Sequence, residues 1–302
     1  MFLMDAGVPT VMLACVHLGC VELRAREPIR SVVDLKGKKV WAATLWDPGH
    51  TMLPIVAASV GLDPAKDLNW VFDEKRDPKD LFEAGEIDAF MTVPPWAQEL
   101  RGQNVGHVIL SSALDHPWSQ YFCCVLLGNV DFVRRNPIAT KRVVRAMLRA
   151  TDICAAKPDW VAPRLIDRGA WPRYDSVRQG FDDVSYRAWR DYDFEDSIRF
   201  WALRLHEVGV IKSSPDKIIA TGTDSRFLNA VRKDYGLRAD SDESIRAQPE
   251  RLGVCHDAAD YSRGRGMTIV RQSCGPMPVQ SPLVVRPSLS AEDRFRALTF
   301  RS

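Results

Sequence analysis

Three short segments combine tryptophan with small polar side chains, a mixture that small-molecule pockets use. The first, residues 46–51, follows a short apolar run, and its Asp47-Pro48 pair offers a helix N-cap and a first-turn proline. The unpaired backbone N–H groups and the positive dipole end of such a helix can hold a carboxylate or a sulfonate. The alternative is a capped helix with a packed tryptophan. We predict that the ligand-contacting residues of this segment are Trp46, Gly49, His50 and Thr51.

The second and third segments also follow apolar runs. Residues 94–96 come directly after the run at 87–93, and a tryptophan there can form one wall of an apolar pocket or pack between elements. Residues 116–121 supply two flat aromatic faces together with a hydroxyl and an amide, with hinge packing as the alternative role. The predicted ligand-contacting residues of these two segments are Pro95, Trp96, Trp118, Ser119, Gln120 and Tyr121.

The cysteines suggest an enzymatic chemistry that their spacing does not support. Cys123 and Cys124 are adjacent in an apolar run, where strand alternation would send their side chains to opposite faces. The chain has no Cys-x-x-Cys pair, and the spacing identifies no His or carboxylate partner for a metal. We therefore expect buried thiols, no metal site, no cofactor and no catalytic residue. His17 and His206 are expected to be packing or surface residues.

The positions of these segments depend on a pattern of strand–helix–strand units between residues 34 and 110. Short apolar runs alternate there with helix-like stretches, which predicts a sheet of parallel strands joined by right-handed crossovers. The expected strands are residues 40–43, 69–72, 87–93 and 107–110, and the expected helices are residues 47–60, 78–84 and 95–100.

The second half of the chain is predicted to be rich in helices. Residues 121–127 form a continuous apolar run, which predicts a strand buried on both faces. Residues 144, 147, 148, 151 and 154 then share one helical face before Pro158. Further helices are expected at residues 160–168, 176–184, 195–207 and 225–234. Residues 238–302 show no sustained period, and we expect them to be mostly disordered.

The composition predicts a globular protein with two domains. The 302 residues are 46% hydrophobic and 26% charged, which excludes collagen-like and wholly disordered chains. A formal net charge of +2 indicates no nucleic-acid partner. The first apolar stretch, residues 11–16, is far shorter than the roughly 20 residues of a membrane span. No Lys or Arg precedes Arg24, so we see no export signal, and the chain as given would be cytoplasmic.

Five motifs, taken in order, resemble one family of binding proteins. They are DLKGKKV at 34–40, VGLDP at 60–64, GEIDAF at 85–90, PWSQYFCC at 117–124 and IKSSP at 211–215. In these motifs and their spacing, residues 7–237 resemble the nitrate/sulfonate/taurine-type substrate-binding proteins of bacterial ABC importers (SsuA/THI5-like, also called NMT1-like). Each motif alone is unspecific.

The resemblance implies a fold class of α/β, periplasmic-binding-protein-like type II, with two lobes, a hinge and an incomplete first lobe. By this comparison, residues 1–24 and 114–237 would form the first lobe and residues 25–113 the second. The chain would begin inside the first lobe, without the exported leader and the first strand–helix units of the family.

The resemblance also implies the function. The chain would be a monomeric solute-binding component that holds a small anionic or heteroaromatic ligand between its lobes, without catalysis, and presents it to an ABC permease. The family would place it in the periplasm. The alternative is a THI5-like enzyme of thiamine-pyrimidine biosynthesis, which would bind iron. A regulator's effector domain is a third interpretation, but no helix-turn-helix is recognisable at the start of the chain.

Overall fold

A computed structural model describes residues 1–44 and 47–237 of the chain. Trp46 and the tail expected to be disordered, residues 238–302, lie outside the described residues. The strands are β1 (Thr10–Leu18), β2 (Glu22–Ala25), β3 (Lys39–Ala42), β4 (Asn69–Phe72), β5 (Ala89–Thr92), β6 (His107–Ser111) and β7 (Phe122–Asn129).

Eleven α-helices surround these strands within the described ranges. They are α1 (Phe2–Asp5), α2 (Pro48–Ser59), α3 (Pro78–Glu83), α4 (Trp96–Gly102), α5 (Val130–Arg135), α6 (Pro137–Ala156), α7 (Pro158–Asp167), α8 (Tyr174–Asp183), α9 (Phe194–Glu207), α10 (Pro215–Gly222) and α11 (Arg226–Asp234). Short 3₁₀ turns span Val32–Leu35, Trp118–Gln120 and Ala188–Arg190. In the part of the chain that the structure describes, none of the helices combines the length and apolar character needed to span a membrane.

The five-stranded sheet has the strand order β4-β3-β5-β2-β6. Strand β3 pairs in parallel with both β4 and β5, which confirms the strand–helix–strand units predicted for this region. The sheet is mixed rather than parallel throughout, because β2 inserts antiparallel between β5 and β6. The sequence pattern missed β2 because this four-residue strand carries Glu22 and Arg24, and both are buried.

Helices cover both faces of this sheet. Along β3, Val40 packs on one face in a cluster with Met52 and Leu53 of α2. Trp41 packs on the other face with Leu81 of α3. Helix α2 begins as the sequence predicts, since the Asp47 carboxylate accepts a hydrogen bond from the Gly49 backbone N–H. The predicted capping residues therefore set where α2 begins.

Strands β1 and β7 form a separate two-stranded antiparallel sheet. Residues 11–15 of β1 are buried in a core that includes Leu148 of α6, Ile198 of α9 and Leu228 of α11. The expectation that β7 is buried on both faces is wrong, since Phe122 is its one buried residue. Strand β7 pairs with β1 in this two-stranded sheet, and most of its residues are partly or fully exposed to solvent. Its run of apolar residues therefore does not indicate burial on both faces.

Two connections join the two sheets and lie against each other. Residues 19–21 link β1 to β2, and residues 112–121 link β6 to β7. The Val21 backbone N–H donates to Ser112 Oγ at 2.8 Å, and the Ser112 backbone N–H donates to the Val21 carbonyl oxygen at 2.8 Å. A Cβ atom added to Gly19 would lie 1.9 Å from the Ser112 carbonyl oxygen, so this contact requires glycine.

Helix α9 contacts the hydrophobic clusters of both sheets. Phe194 and Ile198 lie in the cluster around β1, whereas Phe200 and Trp201 pack against the cluster that covers one face of the five-stranded sheet. The division into lobes at residues 24 and 113 stays a prediction.

We predict that Gly19→Ala lowers the free energy of unfolding by about 1–3 kcal/mol, because the new methyl group forces the two connections apart. Gly102→Ala is the matched control, since a Cβ atom there meets nothing within 4 Å. Urea denaturation followed by circular dichroism measures both variants. Equal midpoints for the two variants would contradict the close contact at Gly19.

Candidate functional site

The three segments predicted to contact a ligand all leave the five-stranded sheet at one edge. This is the edge at which the parallel strands β3, β4 and β5 end, where open α/β sheets bind ligands. The antiparallel pairing places Glu22 of β2 beside both Thr92, the last residue of β5, and Ser111, the last residue of β6. The two connections to the other sheet therefore start at this same edge.

The first segment closes the loop after β3. Gly49 is buried, and a Cβ atom added to it would lie 2.7 Å from Asp47 Oδ1 and 3.4 Å from the Trp41 carbonyl oxygen. Burial raises the pKa of the Asp47 carboxyl group, although the Gly49 N–H stabilises its charged form. The Thr51 hydroxyl donates to the Asp47 carbonyl oxygen at 3.1 Å. These contacts order the start of α2 at the sheet edge.

The His50 ring, on α2, packs against two aromatic side chains of β4. Its ring centroid lies 4.7 Å from that of Trp70 and 5.2 Å from that of Phe72. The Trp70 indole N–H donates to the Pro64 carbonyl oxygen at 2.9 Å, which fixes the ring that His50 contacts.

The second segment presents a tryptophan to solvent. Trp96 is 51% exposed at the start of α4, and its ring meets that of Trp171 edge-on at 4.6 Å. Helix α8 packs nearby, since a Cβ atom on Gly180 would lie 3.3 Å from Pro94 Cβ. Pro95 is half-buried beside them. This segment thus lies where α4, which follows β5 of the five-stranded sheet, meets α8 and the residues before it.

The third segment packs against α9. Trp118 is 4% exposed, and its ring stacks at 6.0 Å on that of Trp201. Tyr121 stacks on Phe200 with centroids 3.7 Å apart and an interplanar angle of 7°. Trp118 and Tyr121 thus make the packing contacts that the alternative interpretation expects, and a ligand contact at them stays a prediction.

Ser119 and Gln120 continue this segment with half-buried side chains. Their backbone N–H groups donate to the carbonyl oxygens of Asp115 and Pro117. The two side chains thus sit on a turn whose backbone is held by local hydrogen bonds.

A buried charged group beside the second segment escaped the sequence analysis. Arg24 Nη1 lies 3.3 Å from Glu22 Oε2, and Arg101 Nε lies 3.6 Å from Glu22 Oε1. Arg101 also pairs with Asp183 of α8, and Gln98 Nε2 donates to Asp183 Oδ2 at 2.7 Å. Burial raises the pKa of Glu22 despite the two arginines. In the sequence, this ion pair could have been recognised from the opposite charges of residues 22 and 24, which lie two positions apart and so on the same face of a strand.

Cysteine and histidine side chains gather where β1 and β7 meet the connections. The Cys123 sulfur lies 3.3 Å from the Cys20 sulfur, 3.7 Å from the Cys124 sulfur and 3.4 Å from His17 Nδ1. Hydrogen bonds from the Cys123 and Cys20 thiols lower the pKa of Cys124, and the His17 ring adds to this effect. The structure thus gives Cys123 a histidine neighbour that the spacing in the sequence did not identify.

The expectation that Cys123 and Cys124 point to opposite faces is also wrong, because of a β-bulge. His17 pairs with Cys124 and Leu18 pairs with Phe122, which leaves Cys123 as an extra residue on β7. Alternation fails at such a bulge, so both sulfurs reach the same group. Nor are all the thiols buried, since Cys124 is exposed.

Two open surface hollows lie away from the sheet edge. One of about 460 Å³ lies between α6 and α11, and another of about 410 Å³ lies between α6 and residues 187–190. The first is lined by Pro137, Ile138, Lys141, Arg142, Arg145, Arg226, Phe227 and Ala230. Neither hollow contains a residue of the three predicted segments.

Residues 31–162 match the NMT1-like family model. The match covers the strand–helix–strand units and the three predicted segments, and it confirms the resemblance predicted from the sequence. No curated protein matches the chain in a sequence search.

Solved structures share the fold at low sequence identity. The SsuA sulfonate-binding protein of Methylobacillus flagellatus KT is 21% identical with a TM-score of 0.58, and the match covers 78% of this chain and 73% of that one. The periplasmic nitrate-binding protein NrtA of Synechocystis PCC 6803 is 14% identical with a TM-score of 0.64, over 78% and 72% of the two chains. The desulfurization enzyme DSZB is 17% identical with a TM-score of 0.54, over 78% and 83%.

These matches confirm the predicted periplasmic-binding-protein-like α/β fold. A sulfonate-binding protein, a nitrate-binding protein and a desulfurization enzyme share it with this chain. The fold alone therefore leaves both functions to be argued from the site.

We predict that Asp183→Ala lowers the free energy of unfolding by about 1–3 kcal/mol, because it leaves Arg101 and Gln98 without their partner on α8. Asp182→Ala is the matched control, since Asp182 is exposed and its partner Arg178 keeps a second ion pair with Asp159. We expect a change of at most about 0.5 kcal/mol. Guanidinium denaturation distinguishes the two. Equal losses in both variants would show that the Asp183 contacts do not join α4 to α8.

Proposed function

We propose that this chain is the solute-binding component of an ABC importer and that it binds a small anion, or an anionic heteroaromatic compound, at the edge of the five-stranded sheet. The observation that carries the proposal is the convergence of the loops after β3, β5 and β6 on that edge, next to both connections. The similar folds of a sulfonate-binding and a nitrate-binding protein support it.

The proposed binding site uses the start of α2 and the aromatic side chains around it. The positive end of the 12-residue helix α2 favours an anion, but the Asp47 carboxylate already accepts from the Gly49 N–H there. A bound anion would therefore take the place of that carboxylate. Trp96 would cover the ligand from the neighbouring loop. The proposed contacts are those predicted from the sequence: Trp46, Gly49, His50, Thr51, Pro95, Trp96, Trp118, Ser119, Gln120 and Tyr121.

Function would then follow from a shift between open and closed forms. A ligand that contacts both lobes in the closed form alone stabilises that form, and no covalent step is required. The proposed lobes are residues 1–24 with 114–237 and residues 25–113, so residues 19–21 and 112–121 would act as the hinge. We further propose that the protein works as a monomer in the periplasm and delivers its ligand to a permease.

An enzyme of the THI5-like branch is the second candidate, favoured by the sulfur and imidazole groups around Cys123. It predicts stoichiometric iron in the purified chain and a turnover that Cys123→Ala abolishes. A chain purified without iron, and without turnover on pyrimidine precursors, would remove this candidate.

Thermal-shift and calorimetric titration with nitrate, alkanesulfonates, aromatic acids and pyrimidines test the binding function. We predict that one of these classes raises the Tm and that Trp96→Ala weakens its binding about tenfold through the loss of aromatic contact. Trp160→Ala is the matched control, because Trp160 is also 51% exposed but lies on α7.

We expect the control to bind within twofold of the unchanged protein. The proposal fails if none of the four classes raises the Tm. The placement of the site fails if Trp96→Ala and Trp160→Ala bind the ligand equally well.

A further inference from the structure

Four side chains next to the connections form a compact donor group, which we call the thiol–imidazole cluster. It consists of His17, Cys20, Cys123 and Cys124. One nitrogen of the histidine and the three sulfurs all lie within 4.8 Å of one another. The binding function proposed above uses none of these side chains.

The spacing within the cluster fits a tetrahedral metal ion. Zinc–sulfur bonds of about 2.3 Å and zinc–nitrogen bonds of about 2.0 Å place tetrahedral ligand atoms about 3.8 Å apart for two sulfurs and about 3.5 Å apart for sulfur and nitrogen. The Cys123 sulfur lies 3.3 Å and 3.7 Å from the other two sulfurs and 3.4 Å from His17 Nδ1. Shifts of about 1 Å would bring the widest pairs to these separations.

The fold brings the four residues together from three places. His17 lies near the end of β1, Cys20 lies in the connection to β2, and Cys123 and Cys124 lie at the start of β7. The bulge at Cys123 is what allows two adjacent residues to face one point. A site built from three segments of the chain has a defined geometry once the protein is folded.

The chemistry of the donors selects the metal. Thiolates and imidazole together suit Zn²⁺, and a set of three cysteines and one histidine is a closed structural set with no position left for substrate. The cluster is open enough to load, since Cys124 is exposed and Cys20 and Cys123 are half-buried. Each thiol that ligates releases its proton to solvent, so the affinity rises with pH.

We propose that His17, Cys20, Cys123 and Cys124 form a four-ligand Zn²⁺ site that ties the two connections together. Cys20 belongs to the first connection, and Cys123 is the second residue of β7, just after the second connection. A bound ion therefore restrains the segments through which the two sheets are joined. This site is separate from the ligand site and does not depend on the proposed transport function.

Metal analysis of the full-length chain, purified under reducing conditions and titrated with Zn²⁺, tests the proposal. We expect one equivalent of Zn²⁺ and a rise in Tm of about 5–10 °C at 100 times the Kd, both reversed by a chelator. Replacement by Co²⁺ should give the intense visible bands of tetrahedral cobalt thiolate. The cobalt spectrum reads the site in the unaltered chain, so it does not depend on how a variant folds.

Single variants locate the site. Cys124→Ser changes an exposed residue, and we expect it to weaken Zn²⁺ binding at least tenfold, as should Cys20→Ser. Two controls should keep full binding. They are Cys154→Ser, on α6, and the double variant Cys255→Ser with Cys274→Ser, which removes the cysteines of the tail.

Four results would overturn the proposal. The first is a Zn²⁺ stoichiometry that is equal in the unaltered chain and in Cys124→Ser. The second is the loss of binding in the tail variant, which would place the metal elsewhere. The third is one equivalent of iron in place of zinc, which would transfer support to the enzyme candidate. A disulfide between Cys20 and Cys123 that survives reduction, found by mass spectrometry, would also exclude the ion.

Discussion

The contact between residues 19–21 and residue 112 is the constraint on which the rest of the described structure depends. It joins two sheets that share no strand, through one hydrogen bond between backbone groups and one from a backbone N–H to the Ser112 hydroxyl. Gly19 is required because a side chain would overlap the opposite backbone. This contact sets the distance between the edge of the five-stranded sheet and the strands β1 and β7.

The same constraint places both candidate sites. It starts where β5 and β6 end, at the edge of the sheet that the loop after β3 also leaves, and the proposed anion would bind at this edge. On the β1 and β7 side it sets Cys20 beside Cys123 and Cys124, where the proposed zinc would bind. Helix α9 supports both sides, since it packs Ile198 into one core and Phe200 against the other. The bound anion and the bound zinc ion would thus both act on the two connections between the sheets.

Much of this arrangement could be predicted from the sequence. The periodicity and the capping pair at Asp47 gave the strand–helix–strand units, because these features are local. Strand β2 was missed because its buried Glu22 is balanced by arginines, one of them 79 positions away. The thiol–imidazole cluster was missed because alternation, the rule available to a reader of sequence, breaks at the bulge of Cys123. Both failures involve contacts that depend on partners distant in the chain.

The most direct test of the central claim is hydrogen exchange, measured by mass spectrometry with and without the anion that gives the largest thermal shift. Ligand binding at the sheet edge predicts slower exchange in peptides that cover residues 47–51, 95–98 and 112–121 together. Slower exchange confined to residues 137–145 and 226–230, which line the hollow between α6 and α11, would contradict the account.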